Sequence, residues 1–336
     1  MPIHTVGDMS QHFQSLRQTG RLKTDLNVLT GELSSQIKND LTRSLGGDLR
    51  QLQSIDREIT LLQGYQQAGT EIAQRLSFAQ TTLAAIDRIR GNFMETALQI
   101  TPESAARDIQ ASVKAGEAAF TEIATQLNRR LGERTIFGGA DVARDPLAPP
   151  QEMLTSLRAA TAGLTDQADI IAAVDDWFDD PAGGFATLGY QGDTGPQLQQ
   201  RISADKTIAL NMRADGAASV ALLKGAAIAA MADENTVGLT DRTRAGLVQT
   251  SGQRMLSAAD DLTAMRSDLG AAQASVDEAA AAHGAQLTAF QINRNELTAA
   301  DPFDTASRLQ NVQQQLEMHY TVTARLSQLS LVNYLR

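Results

Sequence analysis

The sequence contains no cysteine among its 336 residues. This absence excludes disulfides, zinc–thiolate sites, iron–sulfur clusters and thiol nucleophiles. Aromatic residues are also scarce, at 4%, although hydrophobic residues make up 42% of the chain. A buried core must therefore consist largely of Ala, Leu, Ile and Val, which favours packed helices over a β-sandwich.

Positive charge is scarce as well, and the formal net charge is −10. The imbalance is local, because ten acidic residues between Asp141 and Gln200 are offset only by Arg144 and Arg158. A chain without a basic stripe lacks the cationic surface that a phosphate backbone requires. We therefore expect no nucleic-acid partner.

Long hydrophobic runs are absent from the sequence. The most apolar segment, residues 225–232, is far shorter than the roughly 18 residues of a membrane span. Residues 1–8 show neither a charged nor an apolar signal-peptide region. We expect no membrane insertion and no cleaved signal peptide, so that any export uses another route.

Apolar residues recur every three or four positions through the N-terminal third, which is the period of one helical face. They run from Met9 to Leu45, where Gly46-Gly47 breaks the pattern and Asp48 is a candidate N-cap. Thr101-Pro102 then predicts the start of a further helix that runs to Gly132. Between these breaks a heptad predicts a coiled-coil seam, at Ile72, Leu76, Ala79, Leu83, Ile86, Phe93, Ala97 and Ile100.

The C-terminal third shows the same helical periodicity. Its apolar residues lie seven apart, and His283 occupies one of these positions. Asp301-Pro302 interrupts the pattern, and Asp304 is a candidate cap for the last helix. Matching seams at the two ends of a chain predict that the two segments pack against each other. The heptad positions are Leu262, Leu269, Val276, His283, Phe290 and Leu297.

The middle of the chain differs, because it holds five of the eight prolines and the only tryptophan. Residues 198–202 and 207–212 alternate apolar and polar side chains, which predicts a β-hairpin. We therefore predict a mainly α fold: an elongated antiparallel coiled-coil bundle formed by the N- and C-terminal segments, with a small α+β insertion. The predicted parts are terminal assembly helices (1–46 and 301–336), a long-helix bundle (47–139 and 236–300) and a solvent-exposed insertion with a small core of its own (140–235).

No residue pattern indicates catalysis, a cofactor or a metal. His4, His12, His283 and His319 lack the spacing of a zinc site. The glycines between 183 and 195 are neither a Walker loop nor a dinucleotide fingerprint, which indicates a loop. A solvated rim explains Asp175, Asp176, Asp179 and Asp180 better than a cation site does. We expect a protein that is not an enzyme.

The terminal apolar stripes are the one feature for which we favour a function over a place in the core. They lie outside the helix-breaking Gly46-Gly47 and Asp301-Pro302, so another surface must bury them. We predict an assembly interface at Leu26, Leu29, Leu33, Ile37, Leu326, Leu329, Leu331, Val332 and Leu335.

Several short motifs resemble the bacterial flagellin superfamily. The most specific is the C-terminal run from Ala324 to Leu335, Ala-Arg-Leu-Ser-Gln-Leu-Ser-Leu-Val-Asn-Tyr-Leu. Thr30-Gly31-Glu32 and Ile136-Phe137-Gly138-Gly139 are similar to further family motifs. Tyr190-Gln191-Gly192-Asp193 looks like the Tyr-x-Gly-Asp of the proteins that join the hook to the filament, and favours that branch.

The resemblance implies a structural flagellar subunit that is exported unfolded by the flagellar type III pathway and assembles outside the cell at the hook–filament junction. It implies as partners further copies of the chain, hook-forming and filament-forming proteins, and an export chaperone. Two alternatives stay open: a filament flagellin, and, from another class, a cytoplasmic coiled-coil scaffold or signalling module.

Overall fold

A computed structural model describes residues 5–196, 198–210, 212–233 and 238–334. The described chain is mainly helical, and its β structure is confined to short hairpins and isolated bridges, so the predicted fold class of mainly α with a small α+β part is confirmed. The helices are α1 (Thr5–Ser35), α2 (Leu41–Ser44), α3 (Arg50–Leu98), α4 (Ala106–Leu127), α5 (Pro150–Ala160), α6 (Gln167–Asp179), a π-helical turn (Phe185–Gly189), α7 (Ala217–Ala230), α8 (Asp241–Thr298) and α9 (Pro302–Tyr334). The strands are β1 (Arg130–Leu131), β2 (Arg134–Thr135), β3 (Leu198–Arg201) and β4 (Thr207–Leu210).

The chain divides into two compact units. One consists of residues 1–63 together with 284–336, and the other is the continuous segment 64–283. The boundaries of these two units differ from those of the three parts predicted from the sequence. The three-part division stays a prediction.

Within residues 64–283, α3 and α8 run antiparallel along the seam that the heptads predict. The apolar heptad positions of α3 from Ile72 to Ala97 are buried, as are Ile100 just after this helix and Leu262, Leu269, Val276 and His283 of α8. Side chain to backbone hydrogen bonds fix the register: Gln80 Nε2 donates to Arg266 O at 2.7 Å, and Arg90 donates to Met255 O at 3.2 Å. Arg90, which interrupts the apolar pattern, therefore contacts the partner helix as a register-setting group.

The middle of the chain packs against these helices and shares one hydrophobic core with them. One continuous cluster of buried side chains includes α3, α4 and α8 together with Met153 and Leu157 of α5, Trp177 of α6 and most of α7. The residues predicted to form a small core of their own therefore share the core of the long helices.

The hairpin predicted in the middle of the chain is present. β3 and β4 pair antiparallel with Leu198 opposite Leu210 and Gln200 opposite Ile208, and Ile202 and Ile208 turn inward. A second hairpin, β1–β2, was not expected. It turns at Gly132, whose φ of +63° is a conformation that glycine adopts without strain.

Three helix boundaries differ from the sequence expectation. The first helix ends at Ser35 rather than near Leu45, because Gln36 adopts a positive φ of 58°. The helix expected to begin at Pro102 begins at Ala106. Residues 101–104 instead form a turn, in which Ser104 Oγ accepts from the Thr101 N–H at 2.9 Å. The same helix ends at Leu127, before the unexpected hairpin, rather than at Gly132.

Among the described residues, no helix combines the length and the hydropathy that crossing a bilayer requires.

Candidate assembly interface

The first and last helices pair antiparallel within the unit formed by the two chain ends. Ser15 lies opposite Thr323, with hydroxyl oxygens 3.4 Å apart, and Thr19 Oγ1 lies 3.5 Å from His319 Nδ1. The Lys23 ammonium sits 5.9 Å from the centre of the Tyr320 ring. Leu22 and Leu29 of α1 are buried. The two ends of the sequence therefore build one surface.

Backbone pairing closes this unit beside the helix ends. The Lys38 N–H donates to Thr298 O, and the Ala300 N–H donates to Gln36 O, both at 2.9 Å. Asp301 Oδ1 then caps α9 by accepting from the N–H groups of Phe303 at 2.8 Å and Asp304 at 3.2 Å. Asp301, rather than the expected Asp304, is the cap, since the Asp304 carboxylate pairs with Arg308 at 2.8 Å.

Large apolar side chains remain exposed on α1 and α9. Phe13 and Leu16 of α1 are more than half exposed, and on α9 Phe303 is 87% exposed. Met318 and Val322, four residues apart and so on one face of α9, are 61% and 56% exposed. Phe13 and Leu16 are likewise neighbours on one face of α1, and adjoining exposed apolar side chains are typical of a surface that another molecule covers.

The structure divides the predicted interface residues. Leu33 and Ile37 are exposed, Leu26 is half-buried, and Leu29 is buried inside the unit. Leu29 thus supports the pairing of α1 within the chain. The side chains of Leu326, Leu329, Leu331 and Val332 lie outside the described residues, as does Leu335 altogether. The interface itself stays a prediction.

Five of the exposed side chains were missed from the predicted interface, although the sequence offered a signal for four of them. Phe13 and Leu16 belong to the N-terminal apolar stripe, and Met318 and Val322 share the helical spacing of four. Phe303 follows a proline at a helix start, where no periodic pattern marks it.

A groove of about 670 Å³ opens beside the paired helix ends. Its wall carries carboxylates from Asp25, Glu32, Asp40 and Asp301 and guanidinium groups from Arg43 and Arg308, among other residues. Several of these carboxylates hold local structure, since Glu32 accepts from the Asn39 N–H at 2.8 Å and Asp40 accepts from the Arg43 N–H at 2.9 Å. The groove is a polar surface of mixed charge beside the apolar one.

Two aspartates of the acidic cluster in the middle of the chain, Asp175 and Asp179, pair with basic side chains. Asp175 accepts from Arg254 at 2.8 Å, and Lys224 lies 2.6 Å from Asp179 and 3.5 Å from Asp175. Burial alone would raise the pKa of Asp175, but the hydrogen bonds and charges of Arg254 and Lys224 hold it below its ordinary value. Across the described residues, no group of three or more histidine or acidic side chains could hold a metal ion.

The glycines between 183 and 195 shape an aromatic cluster instead of a nucleotide site. A Cβ on Gly184 would clash with the indole nitrogen of Trp177, which itself donates to Ser156 Oγ at 3.0 Å. Nearby, the Tyr190 hydroxyl donates to Asp193 O at 3.0 Å. Burial, with the Asp215 charge, raises the pKa of Tyr190 to about 12, so the phenol stays protonated.

The histidines are dispersed over the fold. His319 lies between α1 and α9, and His283 lies in the α3–α8 seam and stacks on Tyr65. His4 and the side chain of His12 lie outside the described residues.

Comparison with known families gives a match in the C-terminal part of the chain. Residues 253–335, which cover the C-terminal part of α8 and α9, match the bacterial flagellin C-terminal helical region. The match includes the exposed residues of α9 and supports the bacterial flagellin superfamily, whose members are structural. A comparison with curated proteins finds no match.

Proposed function

We propose that this chain, whose residues 253–335 match the bacterial flagellin C-terminal helical region, is a structural subunit of the bacterial flagellum that polymerises through its terminal helices. The observation that carries the proposal is the exposed apolar surface of α1 and α9, which lies in the unit that contains most of the matched segment. Burial of such side chains drives association. The first partner is therefore a second copy of the same chain.

Within this proposal, the subunit is the adapter that joins hook to filament, similar to hook-associated protein 3. The Tyr190-Gln191-Gly192-Asp193 motif supports this choice, because it is similar to the Tyr-x-Gly-Asp of the proteins that join the hook to the filament. The hook-forming and filament-forming proteins are then its neighbours, and the type III route with an export chaperone delivers it to an extracellular position. A filament flagellin is the second candidate, favoured by the same terminal surface.

Polymerisation tests the interface directly. We expect Met318→Ser and Val322→Ser to reduce sedimentable polymer of the purified chain severalfold, while the thermal unfolding midpoint stays unchanged because both side chains are exposed. Leu256→Ser is the matched control, since Leu256 of α8 is a large apolar side chain in the other unit that is exposed to a similar extent (54%). Equal assembly of all three variants would contradict the interface.

Truncation tests the predicted C-terminal residues. Removing residues 328–336 deletes the predicted Leu329, Leu331, Val332 and Leu335, and we expect it to abolish polymer formation while residues 64–283 keep their fold. The measurement is electron microscopy of the product beside circular dichroism of the monomer. Normal polymers from the truncated chain would refute a role for these residues.

The adapter and filament roles differ in a deletion strain. Loss of an adapter releases filament subunits into the medium, whereas loss of the filament subunit leaves bare hooks and no released subunits. Secretion separates the scaffold alternative, because a cytoplasmic scaffold stays in the cell whether flagellar export is active or blocked. Retention under both conditions would overturn the flagellar proposal itself.

A further inference from the structure

A buried histidine joins the β3–β4 hairpin to α8. His283 is only 6% exposed, its Nε2 lies 2.8 Å from the backbone oxygen of Ile202, and its ring stacks on Tyr65 with centroids 5.5 Å apart. A carbonyl oxygen can only accept, so Nε2 carries the proton and donates it to Ile202. The contact fixes the tautomer of the neutral ring.

The second ring nitrogen has no hydrogen-bond partner. His283 Nδ1 is buried without an acceptor or donor in reach, which a neutral ring tolerates because Nδ1 then carries only a lone pair. Protonation would place an N–H and a positive charge at this position, where no acceptor replaces water. The docked hairpin is therefore compatible with the neutral ring and opposes the charged one.

The charged groups around the ring do not supply the missing acceptor. Asp205 and Lys206 come from the hairpin turn, Glu278 comes from α8, and α3 contributes the Tyr65 ring. Asp205 accepts from Ser203 Oγ at 2.7 Å, and Glu278 pairs with Lys206 at 2.9 Å while its side chain is 78% exposed. Solvent screens these exposed charges, and the Lys206 charge opposes the carboxylates.

We propose that His283 is a protonation-sensitive latch that holds the β3–β4 hairpin on α8 when neutral and releases it when protonated. Release lets water reach Nδ1 and removes the cost of burying the charge. The proposal concerns residues 199–209 and α8, and it does not depend on the flagellar role. Acidification therefore detaches the hairpin, while the apolar α3–α8 seam stays packed because no charge is buried there.

Hydrogen exchange of the full chain at pH 7.5 and pH 5.5, corrected for the intrinsic pH dependence of exchange, tests the latch. We expect backbone protection in residues 199–209 to fall about fivefold or more at pH 5.5, as one unsatisfied buried donor implies, and protection in α4 to stay constant. Equal hairpin protection at both pH values would overturn the proposal.

Two variants assign the effect to this ring. His283→Gln can still donate to Ile202 O but does not titrate, so we expect the hairpin to stay protected at both pH values. His319→Gln removes a histidine of the other unit and should keep the wild-type pH dependence. A pH dependence that persists in His283→Gln would contradict the latch.

A measurement on the wild-type chain keeps the test independent of either variant's folding. The ring nitrogen resonances of His283 should change in the same pH interval as the hairpin protection. A separation of the two transitions by more than about one pH unit would overturn the assignment.

Discussion

Gly116 lies in the middle of α4 at a place where a side chain has no room. A Cβ there would lie 2.5 Å from the Ala229 Cβ of α7 and 3.2 Å from the Phe93 ring of α3. We expect Gly116→Ala to lower the free energy of unfolding by about 1 to 3 kcal/mol, because overpacking a filled core forces neighbours apart. Urea unfolding of the monomer measures the change.

Gly91 provides the matched control for this prediction. It also lies inside a helix, α3, but a Cβ there would meet nothing within 4 Å. Gly91→Ala should stabilise the chain by about 0.5 to 1 kcal/mol, since alanine loses less backbone entropy in a helix. If Gly116→Ala also stabilised the chain, helix propensity rather than packing would govern both sites.

Asp175 ties α6 to α7 and α8 through Lys224 and Arg254. Because its pKa in the folded chain is below the ordinary 3.8, the pairing contributes fully above about pH 4 and is lost as pH falls through the lower folded value. Asp175→Asn should cost about 1 kcal/mol at pH 7, a value that allows for solvent screening of a partly exposed pair. It should also flatten the loss of stability below pH 4, which urea titrations at several pH values measure.

The neighbouring Asp176 serves as the control for this pair. Its side chain is exposed, so Asp176→Asn should change neither the stability at pH 7 nor its acid dependence. Equal losses in both variants would show that net charge, and not the contacts with Arg254 and Lys224, sets the stability.

At the scale of elements, Asn128 connects the end of α4 to the loop before α5. Its side chain donates to Leu147 O and accepts from the Leu147 N–H, both at 2.9 Å. Leu147 is 1% exposed, so removal of the amide leaves buried backbone groups unpaired. Asn128→Ala should therefore cost about 2 kcal/mol, whereas Asn92→Ala on the exposed face of α3 should cost nothing. Thermal unfolding of both variants measures these changes in stability. An equal loss of stability in Asn92→Ala would contradict a special role for the Asn128 amide.

The long helices and the β3–β4 hairpin could be predicted because the spacing of their apolar residues matches the face of each element that is buried. Residues such as Leu76 and Val276 recur every seven positions where one helix packs against another. The β1–β2 hairpin could not be predicted, since two residues per strand carry no alternation. It is held by the turn at Gly132 and by contacts made in three dimensions, such as Arg134 with Glu71 at 3.3 Å.

The candidate interface was predictable only in part, for a related reason. Periodicity identifies an apolar helix face but does not tell whether the same chain or another one covers it. Leu29 and Leu33 belong to one stripe, yet the structure buries the first and exposes the second. Phe303 has no periodic neighbour and is recognised only by its exposure.

At the scale of the whole molecule, the core lies within the continuous segment 64–283. Every residue of the largest buried cluster in the described chain falls between Ile72 and Ala279. The other unit combines both chain ends, and its buried side chains are fewer, among them Leu22, Leu52 and Leu287. Apolar burial dominates stability, so the two units should differ in their ability to fold alone.

We expect a fragment of residues 64–283 to fold as a monomer and to unfold cooperatively within a few degrees of the main transition of the full chain. Trp177, the single tryptophan, lies in this core, so its fluorescence reports the transition directly.

Conversely, removal of residues 284–336 should unfold α1, because α1 then loses α9 and the backbone partners of Gln36 and Lys38. Hydrogen exchange over residues 5–35 measures that loss, and retained protection there would show that α1 is stable without the C-terminal helix.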